Sequence, residues 1–144
     1  MEQLIAHLIG DYVLQTDYQA MNKKQNFYIA LKHAIIYTLP FLFITTNIWS
    51  LLIICVSHAI IDHTNLLWNF RKYINSENLS NIIYQDEDWE GKEELKQPVP
   101  IQRLLLNMGF NCTRPVWLCV WIDIIGENSI HLLINYLALK LGGI

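Results

Sequence analysis

The chain has 144 residues, room for one domain, and is 53% apolar with only 16% charged residues. Soluble domains carry about 25% charged residues, so this composition points to the bilayer rather than to water. A net charge of −3 without a basic patch excludes a nucleic-acid partner, and the three cysteines (Cys55, Cys112, Cys119) form no CxxC pair that would suggest a thiolate metal or redox motif.

The N-terminal segment from Glu2 to Gln15 has helical periodicity but would be only about 20 Å long, short for a crossing; a re-entrant or interfacial helix is as much to be expected as a true span. It does not read as a secretory leader, because it lacks a basic start and His7 and Asp11 interrupt its apolar run. Thr16 and Asp17 have the character of a helix cap and open a short amphipathic piece ending at Lys24. Phe27 to Asn47 follows as an apolar run of about 30 Å, enough to span. Pro40 inside it frees a carbonyl one turn earlier and should kink it. Thr45-Thr46-Asn47 offers a tight turn into a second run, Ile48 to Asn69, so the two are expected to form a helical hairpin.

From Arg71 to Arg114 the composition changes. Asp86, Glu87, Asp88, Glu90, Glu93 and Glu94 make an acidic, solvated loop, closed by Pro98 and Pro100. Ile101 to Phe110 fits a helix lying on the membrane surface, and Pro115 to about Ala138 is a third run long enough to cross. With the turn at Asn47 outside, every basic residue except Lys140 lies inside, which satisfies the positive-inside rule and makes the acidic loop cytoplasmic. The expected fold is thus an all-α integral membrane bundle, a single domain over 1–144. It has three transmembrane helices, a shorter N-terminal helix packed against them, and a cytoplasmic loop at about 71–114.

The informative residues are those that interrupt the apolar helices. Gln3, His7, Asp11 and Gln15 recur every four residues and share one helix face. His58 and Asp62 repeat that spacing in the second run, and Asp123, Glu127, His131 and Asn135 repeat it in the last. Each carboxylate at mid-bilayer costs about 2.5–3.5 kcal/mol on insertion scales. Interhelical hydrogen bonds return only about 0.6 kcal/mol each, so polar glue alone does not offset several such acids. The acids must therefore enter neutral, line a wet cavity, or bind a cation. Imidazole and carboxylate pairs from converging helices are the donor set of zinc, iron or manganese sites. The candidate ligands are His7, Asp11, His58, Asp62, Glu127 and His131. Gln15, His33 and Asn128 are placed to orient them or a substrate from behind, Asp123 stands at the mouth of the site, and His63 projects away from the His58 face.

His7-Leu8-Ile9-Gly10-Asp11 followed by Gln15-Thr16-Asp17 resembles the opening HLxGDxxxQTD signature of the small multi-pass membrane proteins catalogued as domain of unknown function 3307. Its central HxxxD is matched by His58 to Asp62, and its closing DNxxH by Glu127-Asn128-Ser129-Ile130-His131, where Glu127 replaces the usual Asp and adds a methylene to its reach. The stretch from Arg114 through Trp117, and His131 to Leu139, looks most like versions encoded by phages of bacteria. The resemblance implies a fold and the location of a site, not a reaction, at the inner (plasma) membrane or, if phage-encoded, the host's.

Three functions are compatible with these residues. One is a metal-dependent membrane enzyme, most readily a hydrolase in which an ion activates water. The second is a transporter or proton-relay component, since intramembrane His and Asp chains also mark ion paths, although no inverted repeat is visible. The third is a non-catalytic membrane factor that binds a host membrane protein. The bilayer is a partner in each case, with a homo-oligomer required by the second.

Overall fold

A computed structural model describes residues 1–75, 104–110 and 115–143. Their regular structure is all helical. Helix α1 (Glu2–Leu8) runs on into a π turn (Ile9–Val13), in which the Leu14 N–H reaches back five residues to the Ile9 carbonyl at 3.0 Å. Helix α2 (Asp17–Asn22) opens on the expected Thr16 cap: the Thr16 hydroxyl accepts from the Gln19 N–H, and the Gln19 side chain accepts from the Thr16 N–H in return. Such a cap contributes about 1 kcal/mol.

The first apolar run forms α3 (Phe27–Thr38) and then tightens into a 3₁₀ turn (Leu39–Phe43). Pro40 stands at the start of that turn, where it has no N–H to give to the preceding α ladder. Helix α4 (Ile48–His63) begins on the Asn47 side chain, which accepts from the Trp49 and Ser50 N–H groups. The second run does not continue unbroken to Asn69. Thr64 is extended (φ −96°, ψ 156°) and ends α4, and a separate helix α5 (Leu66–Ile74) follows. Helix α6 (Val116–Leu141) is 26 residues long.

Among the described residues, α6 is the one unbroken helix long and apolar enough to cross a membrane, with a mean hydropathy of 1.3. The broken pair α4–α5 meets the same test when taken together, and Phe27–Phe43 is a shorter apolar helix. The acidic loop expected at Asp86 to Glu94 lies outside the described residues, as does the start of the surface helix expected from Ile101; 104–107 forms a helical turn.

The chain divides into two compact units, Met1–Asn65 with Glu127–Ile144, and Leu66–Gly126. In the first, Ala6, Tyr37, Phe41, Leu51, Ile54, Ala138 and Leu139 form the apolar core. Ser50 Oγ donates to the Ala138 carbonyl (2.9 Å), and a Cβ at Gly142 would strike that same Oγ, so α4 and the end of α6 approach closely here. In the second unit Leu105, Met108, Phe110 and Cys119 are buried together, with Trp68 packed on them. Gly109 turns the chain at φ +79°, a left-handed value suited to glycine.

Beside this apolar core the first unit also buries polar side chains, and it exposes aliphatic ones. His7, His33, His58, Asp62, His131 and Asn135 are all buried, whereas Ile53, Val56, Ile60, Leu133 and Leu137 are exposed.

Candidate metal centre

Four elements of the first unit aim polar side chains at one another. The i, i+4 spacing places His58 and Asp62 one turn apart on α4. Helix α3 contributes His33, and Tyr37 one turn further on. Helix α1 gives His7, and its π turn gives Asp11. Helix α6 supplies Asn128 from its middle and His131 and Asn135 from its second half.

Four donor atoms close a ring. His33 Nε2 lies 3.1 Å from Asp11 Oδ1 and 3.5 Å from Asp62 Oδ2. His58 Nε2 lies 3.3 Å from the same Asp11 oxygen and 3.2 Å from the same Asp62 oxygen. Donors about 2.1 Å from one ion sit about 3.4 Å apart in a tetrahedron and about 3.0 Å apart in an octahedron, so these edges have ligand-to-ligand lengths. His33, His58 and Asp62 are almost wholly buried, with side-chain exposure of 0 to 2%, while Asp11 keeps 11%. Neither nitrogen of the buried His58 has a hydrogen-bond partner despite these approaches, whereas Asp62 Oδ2 meets the Lys23 ammonium at 2.9 Å. Buried polar atoms are normally satisfied, and imidazole nitrogens and carboxylate oxygens gathered in this way could hold a cation.

Two further histidines stand behind the carboxylates. The second oxygen of Asp11 faces His7 Nδ1 at 3.4 Å, and the second oxygen of Asp62 faces His131 Nε2 at 3.5 Å. His7 is fixed by its other contacts. Its Nε2 donates to Asn128 Oδ1 (2.6 Å), and its Nδ1 accepts from the Tyr37 hydroxyl (2.8 Å), which in turn accepts from Asn135 Nδ2 (2.6 Å). The Tyr37 ring stacks on His58 with centroids 3.6 Å apart. Asn128 Nδ2 donates to the hydroxyl of Tyr12.

Among the described residues, two groups of side chains could hold a metal ion: Asp11, His33 and His58, and His58, Asp62 and His131, each with its donor atoms within 4.8 Å of one another; His58 is in both, and neither takes in all four ring residues. Among the sequence candidates, the structure brings His7, Asp11, His58, Asp62 and His131 together. His33, expected behind the ligands, is in the ring itself. Glu127, expected as a ligand, is ion-paired with Lys24 at 2.5 Å and belongs to neither group. Gln15 is oriented to donate to the Asp11 carbonyl and accept from Lys23 Nζ, both at 3.1 Å. Asp123, expected at the mouth, belongs to the second unit, where it accepts from Trp68 Nε1 and Arg71. His63 donates from Nδ1 to the Lys23 carbonyl (3.3 Å) and sets its ring edge-on to Phe27.

Sequence reasoning missed Lys23, whose Nζ is 2.9 Å from Asp62 Oδ2. Its only signal was adjacency to the amphipathic piece after Gln15-Thr16-Asp17, which gives no depth information. His33 carried a clearer sign, a histidine in an apolar run one turn from Tyr37.

The family model described as protein of unknown function (DUF3307) matches residues 1–85. The chain belongs to that family. The matched stretch holds both the His7-to-Asp17 opening and the His58-to-Asp62 pair, hence all four atoms of the ring, while the Glu127-to-His131 element lies beyond it. No curated protein and no solved structure matches the chain.

Proposed function

We propose that this chain is a multi-pass protein of the inner membrane that holds one divalent transition-metal ion (zinc, iron or manganese) between Asp11, His33, His58 and Asp62. The observation that carries the reading is the closed ring of two imidazole nitrogens and two carboxylate oxygens with edges of 3.1 to 3.5 Å, nearly buried and without a hydrogen bond at either nitrogen of His58. Mixed nitrogen and oxygen donors suit these metals better than the all-oxygen shells of calcium or magnesium. His131 orients the Asp62 carboxylate from behind, as outer partners of metal ligands do, while His7 stands beside Asp11 with its Nδ1 turned to the Tyr37 hydroxyl.

The membrane assignment rests on the inverted distribution of polarity. Aliphatic residues of α4 and α6 face outward while four histidines and an aspartate are enclosed. On this reading α6, the broken pair α4–α5 and the shorter apolar Phe27–Phe43 supply the three crossings, and α1 with its π turn is a re-entrant element.

Hydrolysis is the chemistry such a centre supports best, because a bound dication acidifies a coordinated water. Asp11, 11% exposed, is the least buried member of the ring and marks the edge from which water would enter. Elemental analysis of the detergent-purified chain, after dialysis against each of the three metals, tests the reading. Near-stoichiometric metal is expected in the wild type and none in a His33→Ala, His58→Ala variant. A folded wild type that stays metal-free under all three conditions refutes it.

A further inference from the structure

Lys23 caps the end of α2, and its backbone carbonyl is held by His63 on α4. From there its ammonium reaches the Asp62 oxygen that is also a corner of the four-atom ring, at 2.9 Å. An ion inside that ring, about 2.1 Å from the oxygen, would lie no more than about 5 Å from Nζ. A dication and an ammonium that close, in a poorly hydrated site, repel too strongly to share one carboxylate oxygen.

The charge count leads the same way. Asp11 and Asp62 bring two negative charges, and Lys23 brings one positive charge. Lys24 and Glu127 neutralise each other. With neutral imidazoles, a dication cancels the two carboxylates and leaves the Lys23 charge without a counterion. Lys23 is also at the accessible side of the cluster: its side chain is 15% exposed, and it is joined to Gln15, which bonds the backbone of the partly exposed Asp11.

We propose that Lys23 is a tethered cation that keeps the metal's place on Asp62. Once displaced, it binds an anionic group, an oxyanion such as a phosphoryl or carboxylate, next to the ion. This rests on the metal-centre reading and gives that site a substrate class. It also gives the centre an order of events: metal enters, lysine leaves Asp62, and the anion then meets two adjacent positive charges.

The test is calorimetric titration of Co(II) into the full chain in detergent, for wild type, Lys23→Met and Lys23→Arg, with and without inorganic phosphate. Removing an internal competitor should tighten Co(II) binding by about tenfold in Lys23→Met, while Lys23→Arg stays near wild type. Phosphate should tighten Co(II) binding in the wild type and not in Lys23→Met. A lysine that serves only to hold the fold would give the opposite sign, weaker Co(II) binding in Lys23→Met. In wild-type protein, acylation of the Lys23 amine, followed by mass spectrometry, should quicken on Co(II) loading; this readout decides the matter if Lys23→Met does not fold. Equal or weaker Co(II) affinity in folded Lys23→Met, or labelling indifferent to Co(II), overturns the proposal and leaves the metal centre standing. Absence of Co(II) binding in wild type and variant alike overturns both.

Discussion

Gly10 is where a single methyl group should be felt at the centre. A Cβ there would run into Cδ2 of Tyr37 and lie 3.1 Å from its Cε2 and Cγ. The ring has nowhere to go. It is fully buried, stacked on His58 on one side, and held at its hydroxyl by His7 and Asn135. Overpacking of this kind costs about 1–3 kcal/mol, from which replacing a helical glycine by alanine returns about 0.5–1. If the ring shifts far enough to strand the buried hydrogen-bonding groups around its hydroxyl, a further cost of about 1–3 kcal/mol follows. Gly10→Ala should therefore lose about 1 kcal/mol, rising to about 3 if those groups are stranded. It should also weaken metal binding, because Tyr37 presses on His58. The measurement is thermal unfolding in detergent by circular dichroism, as a cycle with Tyr37→Leu, in which most of the Gly10→Ala cost should vanish. A Gly10→Ala protein that melts with the wild type, or a cost undiminished in the Tyr37→Leu background, would show that this close approach does not exist.

Two other substitutions probe the same architecture. Tyr37→Phe keeps the stack on His58 but leaves His7 Nδ1 and Asn135 Nδ2 without their partner, and should cost about 1–3 kcal/mol in denaturant or thermal unfolding. Glu127→Gln removes the partner of Lys24 and no atom of the ring, so metal affinity measured by titration should change less than about threefold; a loss of a hundredfold or more would place Glu127 among the ligands.

How much of the site was legible in the sequence depended on whether spacing along one helix sufficed. His58 and Asp62 sit four apart on α4, and the helix repeat alone puts them side by side. The Thr16 cap was equally local, since a hydroxyl and a glutamine three residues on satisfy each other with no help from the rest of the chain. His33 was legible as a neighbour of the site but not as a member of the ring, and Lys23 was not legible at all. Each depends on how α2 and α3 pack against α4, and nothing in the intervening sequence encodes that distance.

Glu127 shows the reverse. It shares a helix face and a spacing with His131, yet its longer side chain meets Lys24. The break after His63 was hidden as well, because an apolar run looks the same whether its helix continues or stops at an extended threonine. The sequence by itself determined that helices would form and that histidines and acids would be carried into apolar surroundings, since period and composition are local properties of the chain. Only the tertiary structure decided which of those groups share a neighbour, because the ring is closed by atoms from three separate helical segments.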